Sequence, residues 1–152
     1  MFGNIGGVRS KLGENAAGLP GTYKLGAWYN SLNFGDHRDN ASGLSLADPA
    51  NVAPAHALRN NFSVYAVTDQ LVWKKLGTTD GAIGVFAWVM VAPPDRNLVD
   101  DFVQGGIRCK VPFAGRENDM VGLAASWAHI SRNASRLDKD TIAFTGQALP
   151  VR

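Results

Sequence analysis

Between Gly21 and Ser31 the chain alternates with a period of two. Tyr23, Leu25, Ala27 and Tyr29 fall on one face, and Thr22, Lys24, Gly26, Trp28 and Asn30 fall on the other. This is the pattern of a strand with one apolar face, and a slip of one residue would exchange the two faces. Four more strands are predicted, at about 62–76, 81–92, 98–110 and 119–131. In 98–110, Val99, Val103, Ile107 and Cys109 form an apolar face broken by Asp101. Asp100, Gln104, Arg108 and Lys110 form the polar face. In 119–131, Val121, Leu123, Ala125 and Trp127 oppose Gly122, Ala124, Ser126 and Ala128. The stretch 81–92 is apolar on both sides, as a fully buried strand would be, so its orientation stays open. The stretch 62–76 is mixed, and Asp69 interrupts it. A lone charge on a lipid face is costly. Asp69 is therefore expected to meet an Arg or Lys, or to be turned inward by a bulge.

The punctuation between these runs is polar. Residues 1–19 are Gly-rich and weakly patterned, and 32–60 reads as a long polar loop. Pro93-Pro94 ends one strand, because proline cannot supply a ladder donor. Asp95, Arg96 and Asn97 follow at a turn, as do Arg116, Asn118 and Asp119 at the next. There Asp and Asn shape the bend, and Arg pairs with a neighbouring carboxylate. Residues 132–140 read as a charged loop and 141–148 as a short sixth strand. Strand lengths of about 11–15 residues exceed the five or six usual in soluble domains. They suit strands that cross a bilayer, which need roughly 9–11 residues. A 29-residue loop such as 32–60 also counts against a compact soluble domain.

Composition narrows the function further. The 152 residues are 45% hydrophobic and 18% charged, with 17 Gly, which is not a disordered composition and favours strands with turns. A net charge of +2 without clustered basic and aromatic residues argues against nucleic acid. Cys109 is the only cysteine and reads as a small packed hydrophobe. His37, His56 and His129 are scattered, so no metal site is expected, and no cofactor motif is found; GNIGG lacks the strand and helix that a phosphate loop needs. No nucleophile elbow or other catalytic signature is present, so an enzyme is not expected. No run of roughly 18 apolar residues exists, which excludes a transmembrane helix but not a barrel.

The ordered segments GLPGTYKLGAWYNS, YAVTDQLVWKK, GVFAWVMVAPPDRNLVDDFVQGGI and FAGRENDMVGLAASWAHIS together resemble the carbohydrate-selective porin family of OprB type, over about residues 18–131. The resemblance implies an all-β fold, an antiparallel transmembrane β-barrel of about sixteen strands around an aqueous channel. It implies that residues 1–152 form a partial barrel domain of five or six strands. It also implies passive, carbohydrate-selective diffusion across a bacterial outer membrane. The N-terminal segment lacks a signal peptide's apolar core, so the expectation is a longer precursor that carries one.

Lumen-facing residues tune what passes through such a channel. With the apolar faces toward lipid, the candidate pore-lining set is Lys24, Trp28, Asn30, Asp100, Gln104, Arg108, Lys110 and Asn118. Amides and charged groups can bind sugar hydroxyls, and Trp28 can stack on a sugar's C–H face. Asp95, Arg96, Asn97, Arg116 and Asp119 are candidate rim or turn residues. Expected partners are sugars or other small hydrophilic solutes, outer-membrane lipid, the remaining barrel strands and a second copy. Two other readings compete: a soluble β-sandwich or small-barrel ligand-binding module, and a truncated, non-functional remnant.

Overall fold

The computed structural model describes residues 7–14, 18–75, 81–110, 116 and 119–147. They form one six-stranded antiparallel sheet in which each strand pairs with its sequence neighbours. The strands are β1 (Gly7–Glu14), β2 (Pro20–Asn40), β3 (Ala55–Lys74), β4 (Ala82–Val91), β5 (Val99–Lys110) and β6 (Met120–Ile130), followed by helix α1 (Arg132–Thr145). This up-and-down order leaves β1 and β6 as the sheet's outer strands.

Three expectations are corrected. The Gly-rich N-terminal stretch contains a strand, and β1 pairs with β2 from Gly7 opposite Ala27 to Glu14 opposite Pro20. The long loop is much shorter than 32–60, because β2 continues to Asn40 and β3 begins at Ala55. The charged stretch 132–140 and the expected strand 141–148 are instead largely helix α1. Local chemistry explains the helix. The Ser131 side chain accepts from the Ala134 amide as N-cap, and Gly146 closes the C-terminus in the left-handed conformation, φ 66°.

The registers fix both faces of the sheet. Antiparallel partners share a face, so Leu25, Ala66, Val89, Val103 and Trp127 form one outward row. The opposite face carries Trp28 beside Ser63, Val67 beside Trp88, and Trp88 beside Gln104. The two sides of 81–92 are thereby matched to the rest of the sheet: Val85, Ala87, Val89 and Val91 share the face of Leu25, and Gly84, Phe86, Trp88 and Met90 share the face of Trp28.

A hydrophobic core is missing from the described residues, where Ala134 is the one buried apolar side chain. Apolar side chains of the outward face instead stand exposed; Leu25 is 59% exposed, Val121 60% and Leu123 76%. A soluble sandwich would cover that face with a second sheet. No second sheet exists among the described residues.

Candidate functional site

The inner face is built from large side chains set opposite glycines. The Tyr65 ring lies over Gly26, where an added Cβ would collide with Cζ. Phe86 covers Gly106 in the same way, at 2.6 Å. Arg108 crosses Gly84, where a Cβ would sit 2.8 Å from Nε. That crossing carries the Arg108 guanidinium over β4 to the Asp69 carboxylate on β3, and the two form an ion pair. Asp69 thus faces inward and meets an arginine, as expected of a charge that cannot face lipid. With Pro20, Gly21, Thr22 and Leu71, the pair lines a hollow of about 300 Å³.

Further along the same face, the rings of Trp88 and Phe102 meet with centroids 4.9 Å apart. This pair escaped the sequence reading because 81–92 is apolar on both sides. The detectable signal was Gln104, which the register places directly opposite Trp88.

Most candidate lining residues do share this face. Lys24 is exposed opposite Val67, and Trp28 is half-buried opposite Ser63. Gln104, Arg108 and Lys110 follow one another along β5, opposite Ser126, Gly122 and Met120 of β6. Asn30 lies opposite Asn61, but its side-chain oxygen accepts from the Leu32 amide at 3.0 Å, which is turn chemistry. Asp100 departs from the expected row. The ladder shifts between Val99 and Asp101, and this breaks the alternation. Asp100 is only 8% exposed and lies 2.6 Å from His129 Nδ1. It therefore does not line the polar face with Gln104. Asn118 lies outside the described residues.

At the loop end the turn residues tie the sheet to an overhanging hairpin. Asn60 adopts a left-handed conformation, φ 68°, where the β2–β3 ladder shifts register. A bulge there bends the strand pair and leaves carbonyls without ladder partners. Arg96 reaches across to the carbonyls of Arg59, at 2.7 Å, and of Asn60. It also grips Asp95 with two parallel bonds of 2.8 and 2.9 Å. That guanidinium holds the Asp95 carboxyl below its ordinary value, against the opposing effect of burial. Asn97 and Asn61 exchange amide bonds of 2.9 Å in both directions. The hairpin continues to α1, where Arg38 bonds Asp140 at 3.0 Å and Asp36 accepts from Asn133 at 3.2 Å. The expected pairing of Arg with a nearby carboxylate also holds for Arg116 and Asp119, at 2.6 Å.

The outward face adds aromatic residues near both ends of the sheet. Tyr29, Phe62 and Trp127 stand toward the loop end, and Tyr23 and Trp73 toward the turn end; all are more than a third exposed. Phe62 and Trp73 are eleven residues apart on β3. At about 3.3 Å per residue and a tilt of about 40°, their separation is roughly 28 Å along the barrel axis. A transmembrane barrel's apolar band is about 25 Å tall between its aromatic girdles.

One face apolar and ringed by aromatics, the other carrying Lys24, Asp69, Gln104 and Arg108 among its rings, with no core between them among the described residues: these features define a wall of a transmembrane β-barrel. The sequence matches the carbohydrate-selective porin, OprB family, over residues 2–152, and the chain belongs to that family. It is similar to Porin B of Pseudomonas aeruginosa, with 26% identity over 118 residues. That similarity covers 78% of this chain and 26% of Porin B. The fold is similar to the high-pH structure of Pseudomonas putida OprB, with a TM-score of 0.81 and 24% identity, over 94% of this chain and 33% of that one. The chain therefore spans about a quarter to a third of the length of these relatives.

Proposed function

We propose that residues 1–152 form part of the wall of an outer-membrane porin, through which sugars and other small hydrophilic solutes diffuse passively. The observation that carries this reading is the exposed, aromatic-bounded apolar face on a sheet without a core. Such a face is stable only in an apolar solvent, and a bilayer is one. Among the described residues the outer edges of β1 and β6 have no ladder partner, and in this reading neighbouring strands of the same barrel cover them, because each unpaired polar group costs several kcal/mol in hydrocarbon. Lys24, Trp28, Gln104, Arg108 and Lys110 line the passage in this reading, joined by Asp69. Asp95, Arg96 and Asn97 serve the rim by fixing its shape, and Arg116 and Asp119 close a turn at the opposite end. Lipid covers the outward face, and a second copy is a candidate partner along Val85–Val91.

The test is liposome swelling with the complete barrel that carries this chain. Swelling in isotonic glucose well above that of empty liposomes is expected. Rates equal to empty liposomes, from protein shown to be inserted, would overturn the reading.

A further inference from the structure

The loop end holds charges that neither the wall nor the passage accounts for. The acids of α1 are engaged: Asp140 accepts from Arg38 at 3.0 Å, and Asp138 also has a partner. Its cations are not. Arg132, Arg136 and Lys139 are all exposed, and none enters an ion pair among the described residues. Their spacing of four and three residues places them on one side of the helix. The stripe extends about 10 Å along the axis, at about 1.5 Å per residue.

This stripe works against the helix that bears it. Like charges four residues apart repel. Arg132 sits in the first turn, where the helix dipole is already positive, and no acidic residue offsets it there. Helix stability therefore does not explain three aligned cations. An anion arriving from solution would convert both unfavourable terms into attraction, since a row of cations and a helix N-terminus each favour negative charge.

The position of α1 selects the source of that anion. Asn133 and Asp140 bond Asp36 and Arg38 on the far part of the β2–β3 hairpin, past the β4–β5 turn, which sets α1 at the loop end of the sheet. We propose that the Arg132–Arg136–Lys139 stripe recruits anionic solutes, namely sugars bearing a phosphate or carboxylate, to the loop end of the barrel. The proposal rests on the porin reading above and extends it to a solute class.

The test uses the complete barrel in planar bilayers of uncharged diphytanoyl phosphatidylcholine, with a KCl gradient. The reversal potential gives the ratio of anion to cation permeability. Replacing the three cations together (Arg132→Gln, Arg136→Gln, Lys139→Gln) is expected to lower that ratio about two- to tenfold. The effect should be larger at 0.1 M than at 1 M salt, since screening shortens from about 10 Å to about 3 Å. Glucose 6-phosphate entry into liposomes should fall while glucose entry holds. Arg136→Glu alone should shift the ratio in the same direction, which guards against a folding defect peculiar to the triple variant. An unchanged ratio in a conducting variant overturns the inference and leaves the porin reading standing. Equal loss of both solutes overturns it too. A difference seen only when lipopolysaccharide is present assigns the stripe to lipid phosphate and overturns it. Absence of any channel from inserted wild-type protein removes the porin reading, and this inference with it.

Discussion

Ile107 and Arg108 are consecutive residues at nearly the same depth, yet they face different solvents. Ile107 lies between Val85 and Leu123 on the outward face and is 40% exposed; Arg108 spans Gly84 to reach Asp69 on the inward face. Replacing Ile107 by Arg asks the outer side to hold the charge that the inner side already holds. The loss has two parts. Burying an isoleucine side chain in an apolar medium contributes about 1.5–3 kcal/mol. An arginine on the lipid face near the midplane costs about 2–4 kcal/mol in total, falling to about 0–1 near the interfaces. Ile107 pairs with Val85, only two residues from Ile83 at the level of Trp73, so the new arginine can snorkel to the turn-end interface and the cost falls below the midplane value. We therefore expect the Ile107→Arg barrel to be about 1–2 kcal/mol less stable, a shift of roughly 5- to 30-fold in the folding equilibrium at 1.36 kcal/mol per decade. The comparison is Gln104→Arg, inward between Trp88 and Ser126, which should stay within about 0.5 kcal/mol of wild type. Urea titration of the complete barrel folded into phosphatidylcholine vesicles, followed by the shift in gel mobility between folded and heated forms, measures both. Equal losses, or a larger loss for Gln104→Arg, would refute the face assignment.

Gly106→Ala should destabilise by about 1–3 kcal/mol, because the new Cβ would stand 2.5 Å from the Leu123 carbonyl oxygen, a backbone atom that cannot step aside as a side chain can; the same urea titration checks it. Asp69→Asn and Arg108→Gln should each change ion selectivity in bilayers. Their coupling energy in a double-mutant cycle should be only about 0.2–1 kcal/mol, since both side chains are about 40% solvent-accessible. Acid should loosen the rim at Asp95. Its folded pKa lies below the ordinary 3.8, so the unfolded chain binds the proton more readily; the stabilisation is complete above that value and is lost as pH falls through the lowered one. Asp95→Asn should remove this part of the acid sensitivity, read as hydrogen exchange of the turn amides between pH 5 and pH 2.

The sequence made the wall legible wherever one face of a strand met lipid and the other met water. Gly21–Ser31 and 119–131 kept strict alternation, and the ladder groups the residues of each face as the alternation does. The signal faded where that contrast was lost. Beyond Asn30 the β2–β3 hairpin has polar residues on both faces, so a continuing strand looks like a loop. In β4 both faces are apolar, because on the inner side Trp88 meets Phe102 and Phe86 covers Gly106 of the next strand. Asp100 was misplaced because a register shift defeats any rule of alternation. The helix signals, Ser131 before α1 and Gly146 after it, were present, but the expectation of another strand overrode them. Glycine opposite a ring or a guanidinium is invisible in one dimension, since it depends on which residues become cross-strand neighbours.

The lack of an interior core bears on how the chain travels before it reaches a membrane. The greasiness of this protein is a property of the assembled sheet, where every second residue is gathered onto one side. Read along the string, the same residues are diluted by polar neighbours, and mean hydropathy is only −0.09. An extended chain can therefore cross a watery compartment with modest help from holdase chaperones. It exposes a coherent apolar surface only once strands pair, at the bilayer that will receive it.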